Sequence, residues 1–268
     1  MNRLFDRAID DHNKARQYSQ PREGGLGMIP DARIQRRSCR LILILALLLP
    51  LLAWMGTTSA LADDREQRDL VDQSRMTLSN FLADSNMSWF RDHIQDAKGL
   101  FIVPQYMKGA LIYGAAGGSG VFVAKDEKTG EWSEPAFFTM GAASFGFQFG
   151  AQMSEVVLLV LTQRGVDSLL LGNFKLGADG SVAVGPVGAG VSGATTPNLS
   201  ADLLSFVRAK GLFAGVSLEG AALISRDEWS RAYYGQPVTP TDIVIRREVR
   251  NPHSETLRAE IVRATDRK

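Results

Sequence analysis

Apolar residues follow two different spacings along the chain, and the change falls near Gly99. In residues 63–85 apolar side chains recur every three to four positions, which is typical of an amphipathic helix that buries one stripe. The stripe consists of Leu70, Val71, Leu78, Phe81 and Leu82. A second, shorter helix is predicted directly after it, because Phe90, Ile94 and Ala97 fall on one side of a helix.

Beyond Gly99 the chain consists of short apolar runs with a period of two, separated by glycine, proline or charged turns. The alternation is clearest in "SFGFQFG", where Phe145, Phe147 and Phe149 share one face of a predicted strand. The polar stretch "KDEKTGEW" at 125–132 predicts a hairpin loop. Short helices are predicted for "RGVDSLLLG" and for "SRDEWSRAYYG", at 164–172 and 225–235.

The order of these elements predicts the α+β fold class, because strands follow strands and helices lie mostly at the ends. Short, glycine-rich strands favour an antiparallel sheet that curls or closes, as in a barrel or sandwich, with N-terminal helices and short peripheral helices. The folded domain is predicted at 63–250. Residues 251–268 are polar with a weak helical period, which leaves a peripheral helix or a frayed tail open.

Residues 41–62 have the composition of an export signal. The apolar run at 41–55 follows four arginines and precedes Ala60-Leu61-Ala62, an A-x-A cleavage motif. As a helix the run spans about 22 Å, short of the roughly 30 Å hydrocarbon core of a membrane. We therefore expect cleavage after Ala62, and a retained membrane anchor is the alternative. Residues 1–40 are a polar extension, within which Met28 is an alternative start.

The charge and cysteine content of the part that follows Ala62 argue against several classes of function. This part has 21 Lys and Arg against 24 Asp and Glu, a net charge of −3, which disfavours nucleic-acid binding through bulk charge. Cys39 is the single cysteine and lies before the apolar run, so neither a disulfide nor a lipid-modified cysteine is expected. The predicted location is periplasmic or peripheral to the membrane of the cell envelope.

The segment "IYGAAGGSGVFVA" at 112–124 raises the question of a phosphate-binding loop. A dinucleotide-binding turn leads into a helix, whereas "VFVAKD" after Gly120 predicts a strand, and the glycine spacing does not fit the motif. We interpret these glycines as positions where strands bend or approach one another closely. No cofactor is expected.

Catalytic chemistry is also not indicated. The chain after Ala62 has no His, Cys or acidic cluster with metal-ligand spacing, and its two histidines, His93 and His253, are isolated in the sequence. Ser144 and Ser217 lie in near misses of the G-x-S-x-G motif. We expect a non-enzymatic protein. If the protein were a hydrolase, its turnover would be abolished by Ser144→Ala or Ser217→Ala.

A longer pattern carries more information than these short motifs. The stretch "AKGLFIVPQYMKGALIYGAAGGSGVFVAKDEKTGEWSEPAFF" resembles the SYLF domain family, and "GNFKLGADGSVAVGPVG", "KGLFAGVSLEGAAL" and "YYG" follow in the family's order. The resemblance covers about 66–245 and implies a lipid-binding module. Eukaryotic members bind phosphoinositides at membranes and some bind actin, whereas bacterial members often stand alone behind an export signal.

The sequence departs from the eukaryotic members of that family in its first helix. There an amphipathic helix contributes to membrane contact, but here the matching segment, 63–84, carries six acidic residues against three arginines. Such an excess disfavours contact with anionic lipid, which attracts basic faces. We therefore interpret the apolar stripe of this helix as packing on the sheet.

A phospholipid site needs apolar surface for acyl chains and cations for the phosphate. If "LLSFVRAKG" is a strand, Leu204 and Phe206 share a face with two cations. Other cations lie beside glycine-rich strand ends or after the second helix. The candidate lipid-binding residues are Arg208, Lys210, Lys108, Lys175 and Lys98, and the alternative for each one singly is an ordinary solvated charge.

The predicted function is that of a non-enzymatic lipid-binding protein of the bacterial envelope, whose partner is an anionic phospholipid or membrane surface. The alternative is a structural or partner-binding periplasmic protein without lipid affinity. In that case the sheet would dock another envelope protein, and the aromatic stripe of "SFGFQFG" would offer the surface for it.

Overall fold

A computed structural model describes residues 64–110, 113–145, 150–188, 200–209, 218 and 220–266. All of them belong to one unit, Ala60–Lys268. The predictions for 1–62, including cleavage after Ala62 and the start at Met28, concern residues outside this description. Among the described residues, no helix is long and apolar enough to cross a membrane.

Helices lie where apolar spacing and capping residues predict them. Thr162 precedes one of them and its Oγ1 accepts a hydrogen bond from the Gly165 N–H at 3.0 Å, while Gly235 ends another with a φ of 73°. The α-helices are α1 (Arg65–Ala83), α2 (Ser88–His93), α3 (Gln163–Leu170), α4 (Asp227–Tyr234) and α5 (Glu255–Thr265). Short 3-10 turns span Ser85–Met87, Ile94–Asp96 and Pro252–Ser254, and a π-helical turn spans Asp242–Arg246.

One curled sheet joins all the strands that the described residues form, so the predicted α+β class with a curled antiparallel sheet is confirmed. The strands are β1 (Gly99–Ala110), β2 (Tyr113–Ala124), β3 (Ala136–Phe145), β4 (Gly150–Val160), β5 (Asn173–Lys175), β6 (Val182–Val184), β7 (Leu203–Ala209) and β8 (Ala222–Ser225). Their order is β5-β8-β3-β2-β1-β4-β7-β6. Only the β6–β7 pair, among these, is parallel.

The glycine-rich segment is strand β2, not a phosphate loop. Its partner β1 bulges between Val103 and Tyr106 and brings its backbone close to β2. A Cβ on Gly120 would lie 2.6 Å from the Ile102 carbonyl oxygen and 2.8 Å from Val103 Cγ2. Glycine is therefore needed here because β1 approaches too closely for a side chain.

The halves of the central strands nearest Gly99 are buried on both faces. On one face Leu100, Ile102 and Val121 pack against apolar residues of α1, α2 and α5. On the other face Phe101, Phe122 and other large side chains pack in one cluster with apolar residues of α3 and of the segment 238–249. Burial on both faces explains why the strand sequences are nearly continuous apolar runs.

The C-terminal segment, for which the sequence left a helix or a tail open, contains α5. Leu257 and Ile261 are fully buried and Ala264 nearly so, so α5 is part of the apolar layer on the helix side of the sheet. The helix adjoins both α1 and the turn after α2.

The four central strands have two contrasting ends. We call the end formed by Gly99, Ala124, Ala136 and Val160 the closed end, and the end formed by Ala110, Tyr113, Phe145 and Gly150 the open end. The register places the four residues of each end on neighbouring strands.

Two buried acids fix the closed end. Glu134 accepts hydrogen bonds from Ser254 Oγ at 2.6 Å and from Arg258 Nη1 at 3.1 Å, which ties the β2–β3 connection to α5. Asp202 accepts hydrogen bonds from Arg164 Nη2 at 2.6 Å and from Thr162 Oγ1 at 2.7 Å. The Arg164 guanidinium, helped by the neighbouring hydroxyls, holds the pKa of Asp202 well below its usual range although burial acts in the opposite direction.

Candidate functional site

The strand predicted at "LLSFVRAKG" is β7, but its helix-side face is covered. Leu204 and Phe206 are fully buried, and Phe206 contacts the rings of Trp89 and Phe90 on α2. These two side chains therefore belong to the core. They offer no apolar surface to an acyl chain, although the predicted alternation along the strand is correct.

Arg208 follows on the same face and is held between two carboxylates. Its Nη1 donates to Glu155 Oε2 at 2.6 Å, and its Nε donates to Asp84 Oδ2 at 3.1 Å. Glu155 also accepts hydrogen bonds from Asn80 and Thr77 of α1. The cluster joins α1, β4 and β7 through charge-assisted hydrogen bonds.

The pKa shifts of Asp84 and Arg208 show that this cluster stabilises the charged form of both side chains. Burial raises the pKa of Asp84, but hydrogen bonds from the Asn86 N–H and from Arg208 outweigh it, so the pKa lies below its usual value. The hydrogen bond to Glu155 raises the pKa of Arg208 against the effect of burial. Arg208 is therefore already neutralised by two carboxylates and is not available as a free cation for a phosphate.

The structure does not bring the described candidate cations together. Lys98 pairs with Glu127 at the closed end, whereas Lys108 lies ten residues further along β1, about 33 Å away in an extended strand. Lys175 lies on the edge strand β5, four strands from β1 in the sheet, roughly 19 Å along it. Lys210 lies outside the described residues. A role for these residues in lipid binding stays a prediction.

The sequence "SFGFQFG" contains the boundary between β3 and β4, which end and begin at Phe145 and Gly150. Residues 146–149 lie outside the described residues, so the shared face predicted for three phenylalanines stays a prediction. Ser144 belongs to β3, and Ser217 lies outside the described residues. No group of three or more His, Cys, Asp or Glu side chains within the described ranges is placed to hold a metal ion.

The first helix packs as the sequence predicts. The stripe of α1 from Leu70 to Leu82 is buried against the sheet and its neighbouring helices. The apolar stripe is therefore part of the core. Membrane contact through that stripe would require α1 to leave the sheet.

The open end has an unusual charge distribution. Residues 105–119 and 139–154, which form this half of the four central strands and their connections, contain one charged residue, Lys108. Gly109, Ala115 and Ala143 are exposed there. Met107 lines a groove beside α1, so Lys108, the next residue of the strand, points to the opposite face.

A groove beside α1 is the other feature that sequence reasoning missed. Three methionines that line it are 55%, 57% and 37% exposed, namely Met76, Met107 and Met153. Their positions in the sequence gave no periodic signal, because they come from one helix and two strands. Only the register, which sets Met107 opposite Met153, brings them together.

Comparison with known proteins agrees with the resemblance found in the sequence. Residues 141–264 match the family model Ysc84, described as a Las17-binding protein and actin regulator. The human SH3 domain-containing YSC84-like protein 1 is 37% identical over 165 residues, which are 61% of this chain and 48% of the relative. LAS seventeen-binding protein 3 of Saccharomyces cerevisiae is 38% identical over 151 residues, 55% of this chain and 32% of the relative. This chain thus spans about half the length of the human relative and a third of the yeast one.

Proposed function

The chain carries a domain of the Ysc84 family, known also as the SYLF domain, and on this premise we propose that it is a non-enzymatic protein that binds phospholipid at a membrane surface. The open end of the sheet is the contact surface in this proposal. The observation that carries it is the charge pattern of the four central strands, which have a single cation and no acid in this half.

Such a composition is poorly suited to water and well suited to a lipid interface. Exposed ends of strands in water are normally rich in polar and charged side chains. Here the connections are Leu111-Ile112 and Gly146-Phe147-Gln148-Phe149. They lie outside the described residues, and their composition alone adds to the apolar character of this end. Lys108 supplies the positive charge that anionic headgroups attract.

The backbone of the open end also favours contact with lipid. Unpaired N–H and C=O groups are costly in an apolar medium. The pairing of β1 with β2 and β4 continues to Ala110, which lies opposite Gly114 and Gly150, and Tyr113 lies opposite Phe145. Along the edges that these four strands share, backbone groups are therefore paired up to the last described residues, whereas the described pairing of β3 with β8 stops at Gly141 and that of β4 with β7 at Ser154.

The same proposal includes export to the cell envelope. It rests on the apolar run and the cleavage motif at 41–62. N-terminal sequencing of the protein isolated from its own cells is expected to begin at Asp63. A first residue of Met1 or Met28 in a membrane fraction would contradict cleavage and support a retained anchor.

Vesicle co-sedimentation of the full chain tests lipid binding. Ala143→Asp places an anion on the open end, and Ala178→Asp makes the same change at an exposed turn outside it. Repulsion and desolvation of the new carboxylate should weaken binding to anionic vesicles by about tenfold, at ~1 kcal/mol for the charge plus its burial. Ala178→Asp should bind as the unchanged chain does, and equal effects of the two substitutions would contradict the proposal. If the apolar run at 41–55 also binds vesicles, it does so equally in both variants, so the difference between them still reports on the open end.

A second candidate function is the binding of a protein partner. The printed names of the family and of the yeast relative describe binding to Las17, and the groove beside α1 is the observation that favours this function for the present chain.

A further inference from the structure

The groove beside α1 lies between that helix and the strands of the open end. A hydrogen bond of 2.9 Å from Gln105 Nε2 to Gln73 Oε1 crosses it. The part toward the start of α1 has a volume of about 350 Å³ and includes Trp229 in its wall. The part toward the end of α1 has a volume of about 270 Å³ and includes Pro104.

The floor of the groove is apolar and adaptable. Met107 and Met153 lie opposite each other on β1 and β4, and Met76 of α1 lines the same part as Met153. All three are substantially exposed, at 57%, 37% and 55%. Neighbouring exposed methionines are typical of surfaces that accept the apolar face of a partner, because their side chains repack around different shapes.

One wall of the groove is acidic. Glu66 and Asp69 lie on the side of α1 that carries Gln73 and Met76, since the four residues are spaced at helical intervals. Both acids are exposed, and the ion pairs that α1 makes with the described residues involve Asp64, Arg68 and Asp72 instead. Glu155, at the other end of the groove, is already paired with Arg208.

We propose that this groove binds a cationic amphipathic helix of a protein partner. The two parts of the groove together follow α1 from Glu66 to Asn80, about 21 Å of helix, which matches four turns of a second helix laid over the exposed Gln73–Gln105 hydrogen bond. The partner's apolar face would rest on the methionines and its lysines or arginines would pair with Glu66 and Asp69. An apolar groove with charged walls is a recurrent way of recognising a helix.

The charge of the groove decides between this occupant and a lipid. Anionic headgroups would meet Glu66 and Asp69 and be repelled, whereas a basic helix gains two ion pairs. The inference does not rest on lipid binding at the open end: Met107 and Met153 belong to both surfaces, but Glu66 and Asp69 lie on α1, outside 105–119 and 139–154, and the ligand carries the opposite charge. Either proposal can fail while the other holds.

Fluorescence anisotropy of labelled 18-residue peptides tests the groove without any lipid present. One peptide has leucines along one face of a helix and lysines along the other. A second has glutamates in place of the lysines, and a third has the leucines and lysines in scrambled order. The full chain is expected to bind the first peptide at least tenfold more tightly than either of the others.

Two variants and one control locate the binding on the chain. Glu66→Gln/Asp69→Asn and Met107→Gln/Met153→Gln should each weaken binding of the lysine peptide about tenfold. The control Glu248→Gln/Glu255→Gln removes two exposed acids that do not line the groove, and it should bind as the unchanged chain does. The acid variant should also lose most of the dependence of binding on salt.

Three results would overturn the proposal. The control pair could weaken binding as much as Glu66→Gln/Asp69→Asn, which would show attraction by bulk charge only. The methionine variant, with an unchanged melting temperature, could bind the lysine peptide normally. The methionine variant could also lose vesicle binding while peptide binding is unaffected, which would make the groove a lipid site.

Discussion

The two ends of the four central strands differ in how their side chains are used. At the closed end Glu134 and Asp202 are buried and receive hydrogen bonds from arginines and hydroxyls, and Arg247 reaches across to the hairpin loop at Glu131. The open end has small residues, exposed methionines and Lys108 as its one charge. The same strands therefore combine an end that is fixed by buried polar contacts with an end that we propose as the lipid-binding surface.

This difference explains how the protein can keep a stable fold while one end of its sheet remains apolar and exposed. Residues that specify a fold through buried polar contacts and close packing need not lie near the proposed binding surface. Substitutions at the closed end should mainly lower stability, and substitutions at the open end should mainly change binding.

The largest effect is expected for Glu134→Ala. The substitution leaves Arg258 without its carboxylate partner and removes the acceptor of Ser254 Oγ, so the free energy of unfolding should fall by about 3 kcal/mol. The midpoint of chemical denaturation measures it. Glu248→Ala, at an exposed acid, should change the free energy by no more than about 0.5 kcal/mol. A loss below 1 kcal/mol for Glu134→Ala would show that the closed end is not held in this way.

A smaller loss of stability is expected for Gly120→Ala. The added Cβ would lie 2.6 Å from the Ile102 carbonyl oxygen, and overpacking of this kind costs about 2 kcal/mol. Gly109→Ala is the matched control near the open end, because a Cβ there would meet nothing within 4 Å. Equal melting temperatures for the two variants would contradict the close approach of β1 and β2.

The smallest effect concerns the single charge of the open end. Lys108→Gln should weaken binding to anionic vesicles about fivefold, corresponding to ~1 kcal/mol for one surface cation, and should leave stability unchanged. Lys128→Gln removes the same charge from the exposed hairpin loop at the closed end and should have no effect on co-sedimentation. If the two lysines contribute equally, the charge acts from anywhere on the surface and the open end has no special role.

Much of the fold follows from local patterns in the sequence. The period of two predicts β7 together with the face shared by Leu204 and Phe206, and Gly235 marks the end of α4 because a left-handed residue is needed there. The strand after Gly120 is predicted as well, which excludes a dinucleotide-binding turn. Each of these features depends on neighbours within a few residues along the chain.

The candidate site was harder to predict because it depends on contacts between distant segments. Arg208 meets Asp84 and Glu155, which are 124 and 53 residues away, and alternation alone could not show that helices cover that face of β7. The methionine groove depends on the register of β1 with β4 and on the position of α1. The low charge of 105–119 and 139–154, by contrast, was visible in the sequence and could have been found by mapping charge onto the strands.

The most direct measurement of the central claim places an environment-sensitive fluorophore at each of two positions. Cys39→Ser gives a cysteine-free chain, into which Ala143→Cys or Ala178→Cys introduces one labelling site. On addition of anionic vesicles, the emission of the label at 143 is expected to shift to shorter wavelength while the label at 178 is unchanged. No shift at 143, or equal shifts at the two positions, would contradict lipid contact through the open end.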